Sequence, residues 1–335
     1  MRLEEFDYEL PADRIAQVPI EPRDAARLLV DGGSAPPEHR TVADLPELLR
    51  AGDVVVVNDT KVIPARLRLQ RETGGTAEVL LLEPQDPGRR HWEALVRPAR
   101  KLRHGEELFT TDGRPVIVVG ARTLAGDTFH VELTGPVEAM ALLDEIGEMP
   151  LPPYIHERLG RPERYQTVYA TTPGSAAAPT AGLHLTPELL TRIAAAGATV
   201  HRVELVVGLD TFQPVSEDDP RQHRMHTERY RVPEATWAAC QGPGRVVAVG
   251  TTSVRALESA ASTGQLAGRT DLFLHRGAEF QVVDLLMTNF HLPRTTLLMM
   301  IDAFVGPRWR DFYATALAEG YRFLSFGDAM LLDHR

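Results

Sequence analysis

Five polar clusters, each at the end of an apolar run, hold most of the residues in this sequence that could do chemistry. They are Asn58-Asp59-Thr60, Pro179-Thr180-Ala181-Gly182-Leu183-His184, Gly208-Leu209-Asp210-Thr211-Phe212-Gln213-Pro214, Gly250-Thr251-Thr252-Ser253-Val254-Arg255 and Thr288-Asn289-Phe290-His291-Leu292-Pro293-Arg294. Ligand crevices in α/β sheets open beyond the carboxyl ends of strands, so five such clusters suggest one composite site. Each also has an innocent reading. Small residues opening a helix at 250–253 leave free N–H groups suited to a carboxylate or phosphate, with Arg255 adding charge, or they simply cap the helix. His184 is an acid–base candidate or a hydrogen-bonded structural residue, with Gly182 permitting close backbone approach. Asp210 attracts a cation or caps a turn. Leu292 before Pro293 is biased to extended geometry, which presents Asn289 and His291 in a fixed loop or merely satisfies a buried connection.

Generic signatures are missing. No G-x-x-x-x-G-K-S/T loop occurs, and the G-x-G at Gly242 and Gly244 precedes a strand instead of following one. His223 and His226 lack a clear third metal ligand, so no metal is expected. The single cysteine, Cys240, forms no intramolecular disulfide and fits a cytoplasmic protein. The acidic N-terminal MRLEEFDYEL has no apolar h-region and is no signal peptide, and no apolar run reaches membrane-spanning length.

The elements that must position these residues alternate. At 335 residues, two domains are expected. Between about 66 and 134 six short runs, RLRLQ, TAEVLLL, HWEALV, EELFTT, RPVIVVG and TFHVELTG, are separated by turn chemistry, as in a small antiparallel barrel or sandwich. This predicts an inserted all-β domain over 66–149. The flanking 1–65 and 150–335 predict a larger mixed α/β domain. Thr41 caps a helix through Leu45, Leu48 and Leu49. Val54–Val57 is a strand buried on both faces, and Thr186-Pro187-Glu188 opens a capped helix ended by Gly197. Strands are expected at 199–207 and 246–249, a helix at 254–261, and a buried helix at 297–304.

Net charge is 36 − 46 = −10, which speaks against general affinity for nucleic acid. A local exception runs from Arg89 to His104, where Arg89, Arg90, Arg97, Arg100, Lys101 and Arg103 face one acidic residue, Glu93. It is either a solvated face or a docking patch for a polyanion.

Taken together, FDYELPADRIAQ, GDVVVVNDTKVIPARL, LPPYI, YQTVYA, APTAGLHLT, VGLDTFQPV, VGTTSVRALES, TNFHLPRTTLLM and YRFLSFGDAML resemble, in order and over essentially the whole chain, the queuosine-pathway S-adenosylmethionine:tRNA ribosyltransferase-isomerase family. There are two departures. Arg276-Gly277-Ala278 stands where the family usually has Pro-Gly-Tyr, and Leu185 where it tends to have Phe. The resemblance implies a six-stranded barrel inserted in an α/β domain. It also implies transfer and isomerisation of the ribose of S-adenosylmethionine onto 7-aminomethyl-7-deazaguanine at the wobble position of tRNA. The products would be epoxyqueuosine-tRNA, adenine and methionine, with S-adenosylmethionine as co-substrate, no prosthetic group and a monomeric enzyme. Under it, Asp210, Phe212, Tyr169 and Phe290 are candidates to face the sulfonium, and His184, His226 and His291 are candidate bases. Asp328 or one of those histidines would protonate adenine. Asn58, Asp59, Thr180, Gly182, Gln213, Thr251, Thr252, Ser253, Arg255, Asn289 and Arg294 are candidates to bind substrate. Arg97, Arg100, Lys101 and Arg103 become candidates for tRNA phosphates. The rivals are a catalytically degenerate family member that only binds RNA, and a methyltransferase using the same co-substrate.

Overall fold

A computed structural model describes the chain except residues 124–125, 209–214, 216, 224, 226 and 335. The chain divides into two compact units, one of Met1–Thr60, Pro153–Thr172 and Ala178–Arg335, the other of Lys61–Pro152 and Pro173–Ala177.

In chain order the first unit supplies β1 (Arg27–Val30), β2 (Glu38–Thr41), α1 (Leu45–Leu48) and β3 (Val54–Asn58). After β4 (Thr60–Val62) come β5 (Arg66–Arg71), β6 (Thr76–Pro84), β7 (His91–Arg97), β8 (Glu107–Phe109), β9 (Pro115–Arg122), β10 (Phe129–Leu133), α2 (Ala139–Ile146) and β11 (Gly147–Glu148). The chain then runs through β12 (Thr172–Ser175), α3 (Pro187–Ala195), β13 (Thr199–Leu205), β14 (Glu228–Arg231) and α4 (Glu234–Cys240). It finishes with β15 (Val246–Val249), α5 (Thr251–Thr263), β16 (Ala267–Thr270), β17 (Leu285–Asn289), α6 (Thr296–Val305), α7 (Trp309–Ala318) and β18 (Ala329–Asp333).

The second unit bears out the expected barrel. Strands β5-β6-β7-β10-β9-β8 follow one another around an antiparallel sheet that closes through β8 onto β5, with the two-residue β11 added beside β5. The six apolar runs are its six strands. Alternation along them buries one side chain in two, so that Val79, Leu81, Trp92, Ala94, Ile117, Val119, Phe129 and Val131 fill the interior.

The first unit carries a nine-stranded mixed sheet in the order β16-β14-β13-β3-β15-β17-β18-β1-β2. Its centre, β13, β3, β15 and β17, is parallel. Parallel strands are covered on both faces, which is why β3 is valine from 54 to 57 and fully buried. The carboxyl ends of these four strands therefore lie along one edge, and α5 and α6 start there. Three boundaries differ from expectation. β13 stops at Leu205. α5 begins at Thr251, because Ser253 Oγ donates back to Val249 O (2.8 Å) and draws 251–253 into the first turn. It runs on to Gly264, whose φ of 69° supplies the left-handed stop.

Candidate active site

The edge where the central strands end encloses a cavity of about 640 Å³, its solvent mouth included. Thr180 and Ala181 line it from the 3-10 turn Thr180–His184, Gly250, Thr251 and Thr252 from the start of α5, and Asn289 and His291 from the end of β17. Three of the five clusters thus meet in one place, with Val207 contributed by the segment that leads into a fourth. No described residue of the lining is Asp, Glu, Lys or Arg.

Asn289, 2 % exposed, organises one wall. Its Nδ2 lies 3.3 Å from the Asp328 carbonyl, which can only accept, so the amide nitrogen faces that side. Its Oδ1 then accepts from Thr180 Oγ1 (2.9 Å), and the second Nδ2 proton goes to His184 Nε2 (3.1 Å). His184 must accept through Nε2 and carry its proton on Nδ1. Burial pushes its pKa down to about 4, with a hydrogen bond to the Arg23 backbone opposing, so the ring is neutral at pH 7. His184 itself lines a smaller neighbouring cavity beside Arg23 and Arg164. It is a positioning group for Asn289.

His291 faces the main cavity directly. Burial pushes its pKa down to about 3, and Nε2 is 3.1 Å from Thr288 Oγ1. Its peptide groups are held from the two ends of the chain. The Tyr8 hydroxyl donates to the His291 carbonyl (2.5 Å), and the His291 N–H donates to the Tyr313 hydroxyl (2.9 Å). The two tyrosine rings meet edge-on at 5.0 Å. The result is a neutral imidazole on a loop with little freedom to move.

Other candidates have different tasks. Arg255, expected to charge the start of α5, is buried in an ion pair with Glu228, whose other oxygen accepts from Gly208 N (2.8 Å). The arginine therefore does not face the cavity. Ser253 bonds Val249 O, as above, and does not cap the helix. Asn58 ties β3 to β13, donating to Leu205 O (3.0 Å) and accepting from Leu205 N (3.2 Å). Asp59 accepts from Thr171 Oγ1 (2.7 Å). A Cβ on Gly182 would sit 2.0 Å from the Tyr169 hydroxyl, so that glycine makes room for a buried ring and not for a ligand. Phe290 belongs to the cavity wall, yet its ring is fully buried against Tyr313, Tyr321 and Phe323 and offers no free face to a sulfonium. Asp328 accepts from the N–H groups of Arg27 (3.0 Å) and Arg322 (2.8 Å), one to each oxygen, and holds the loop rather than serving as an acid. Arg294 pairs with Asp7. Asp210, Phe212, Gln213 and His226 lie outside the described residues.

Tyr154 and Ser325 also line the cavity, joined by a 2.7 Å hydrogen bond. Burial pushes the Tyr154 hydroxyl up to about 12. Both stand in the blocks LPPYI and FLSFGDAML, but neither they nor Tyr8 carry a spacing that singles them out.

The departures have local explanations. Arg276 grips the buried Asp302 carboxylate through Nε (3.0 Å) and Nη2 (3.1 Å) and reaches Glu5 through Nη1 (2.7 Å). Leu185 is fully buried in the apolar core with Leu189 and Ile193.

On the barrel the basic stretch splits in two. Arg89 donates to Pro173 O and Arg90 to Leu133 O, both structural. Arg97, Arg100, Lys101 and Arg103 are exposed, and none of them forms an ion pair among the described residues. Arg97 and Lys101 border an open groove shared with Arg68 and Arg71. Arg71 fixes that loop by bonding Glu106 (2.7 Å) and Lys101 O (2.8 Å).

Comparison with known proteins covers the whole chain. An S-adenosylmethionine:tRNA ribosyltransferase-isomerase of Symbiobacterium thermophilum is 53% identical, spanning 99% of this chain and 100% of its own. The protein of the same name from Thermus thermophilus is 50% identical over 98% of this chain and 99% of its own. The crystal structure of S-adenosylmethionine tRNA ribosyltransferase from Thermotoga maritima aligns with a TM-score of 0.55 at 37% identity, covering 98% of this chain and 99% of that one. The family model described as queuosine biosynthesis protein matches residues 3–332, and the chain belongs to that family.

Proposed function

We propose that this chain transfers and isomerises the ribosyl group of S-adenosylmethionine onto 7-aminomethyl-7-deazaguanine at the wobble position of tRNA, giving epoxyqueuosine-tRNA with release of adenine and methionine. The observation that carries this is full-length likeness at about half identity to proteins of that name. The cavity fits the chemistry. A sulfonium acidifies its neighbouring C5′–H, and the base that takes the proton must be neutral; buried His291 faces the cavity in that form. Asn289, oriented by His184 and Thr180, has both amide protons committed and can serve a ribose or base edge only as an acceptor, through Oδ1. The amine nucleophile attacks as the free base, and adenine accepts a proton as it leaves.

Arg97, Arg100, Lys101 and Arg103 supply the electrostatic contact with tRNA phosphates, a cluster of exposed cations on an acidic protein. The enzyme acts as a cytoplasmic monomer. Arg276 gives no support to a degenerate RNA binder, since it serves the buried Asp302.

The test is mass spectrometry of the products formed from S-adenosylmethionine and tRNA carrying the aminomethyl base. Adenine and methionine in equal amounts, with a matching mass gain on the nucleoside, are expected. S-adenosylhomocysteine would establish methyl transfer instead, and tRNA binding without small-molecule products would leave a binding protein.

A further inference from the structure

Among the helix starts of the first unit, α1, α4, α5 and α7 lack a side-chain cap, and of these four only the α5 start lines the cavity. α3 and α6 are capped by their own threonines, Thr186 accepting from Leu189 N and Thr295 from Leu298 N. The 13-residue α5 begins at Gly250 with no side-chain cap. The Ser253 and Val254 N–H groups turn back to Gly250 O (3.1 and 3.3 Å), while those of Thr251 and Thr252 have no acceptor among the described residues. Both threonines line the cavity. Thr251 is 8 % exposed and its hydroxyl makes no hydrogen bond among the described residues; Thr252 is half-buried, and its Oγ1 is buried with no partner among them. Two amide donors and two hydroxyls thus stand in the first turn of α5, at the positive end of a helix dipole, with nothing of the described protein to receive them. Buried donors are ordinarily satisfied, so such a set fits a ligand anion.

We infer that the N-terminus of α5 is the subsite for the carboxylate of the methionyl group of S-adenosylmethionine, an assignment that rests on the proposed function. The uncharged lining selects this anion over an RNA phosphate. A methionyl group brings its own ammonium beside its carboxylate and enters as a zwitterion. A phosphate would bring an unbalanced charge into a wall with no described cation. Anchoring the methionyl end at α5 also leaves the ribose free to extend towards Asn289 and His291, which line the same cavity.

The test compares S-adenosylmethionine with its decarboxylated analogue under saturating modified tRNA, as KM for the first and inhibition constant for the second. The parent protein should prefer the carboxylate-bearing ligand by about thirty-fold, the scale of hydrogen bonds to a charged group. Thr251→Val and Thr252→Val should each reduce that preference about three- to ten-fold by raising the KM for S-adenosylmethionine. The constant for the decarboxylated analogue and the KM for tRNA should stay within two-fold. A preference below two-fold in the parent protein overturns the assignment without any variant. So does an unchanged preference in both variants, or a rise confined to the tRNA KM, which would place a phosphate at α5. Absence of any S-adenosylmethionine-dependent product in the parent protein would fail the proposed function itself, and that outcome is distinct from the other three.

Discussion

Glu228→Gln is the sharpest probe of the reading that Arg255 is structural. The two side chains are 2 % and 7 % exposed, and among the described residues Arg255 has no other partner, its Nε and Nη2 being buried without acceptors there. Glutamine keeps the shape of Glu228 and an oxygen for Gly208 N but removes the anion. Arginine cannot escape by losing its proton, because its guanidinium stays charged across the accessible pH range. A cation is left buried and uncompensated, at a cost of about 3–5 kcal/mol. Coulomb's law gives a similar size, about 4 kcal/mol for charges 4 Å apart at an effective dielectric of about 20. The assay is denaturant unfolding at pH 7, followed by the midpoint shift of the first unit. The double variant Glu228→Gln/Arg255→Met, which leaves no isolated charge, should regain most of the loss. Its KM for S-adenosylmethionine should lie within about three-fold of the parent. A single variant within about 1 kcal/mol of the parent would refute the reasoning, as would a double variant no more stable than the single. A double variant that folds normally but loses S-adenosylmethionine would return Arg255 to the ligand site.

The two cavity histidines give a pH prediction. Burial holds His184 at about 4 and His291 at about 3, both below the unfolded value of about 6.5, so the folded state favours their neutral forms. Their contribution to stability is complete above pH about 6.5 and is lost as pH falls through about 4 and then about 3. His184→Gln should weaken the fall in unfolding midpoint between pH 6.5 and 4, and the parent kcat/KM should show no histidine inflection between pH 5 and 8. Tyr8→Phe removes the hydroxyl that holds the His291 carbonyl and should lower kcat about three- to ten-fold while leaving the KM for S-adenosylmethionine within two-fold. A KM effect alone would mean that Tyr8 does not act through His291. Neutralising Arg97, Arg100 and Lys101 together should flatten the log–log salt dependence of tRNA binding by about 2–3, at about 0.7–0.9 per phosphate contact. An unchanged slope would place the RNA elsewhere.

The sequence by itself determined the kinds of element and the location of the chemistry. Period-two alternation between 66 and 134 marked six barrel strands because each strand has one face inside. The uninterrupted valines at 54–57 marked a central parallel strand because both its faces are covered. Polar clusters at strand ends marked the cavity edge, since that is where a parallel sheet stops covering its own backbone. Which side chains of those clusters face the cavity was decided only by tertiary structure. Arg255 follows directly on the helix start, yet its charge is claimed by Glu228, 27 residues earlier. Asp328 serves backbone amides of Arg27 and Arg322, and Gly182 yields space to Tyr169. Tyr8, 283 residues from His291, fixes its carbonyl. Such partnerships join residues remote in the chain, and local pattern carries no record of them. Burial, which neutralises the histidines and leaves the α5 donors unanswered, is likewise a property of the packed molecule and not of any segment.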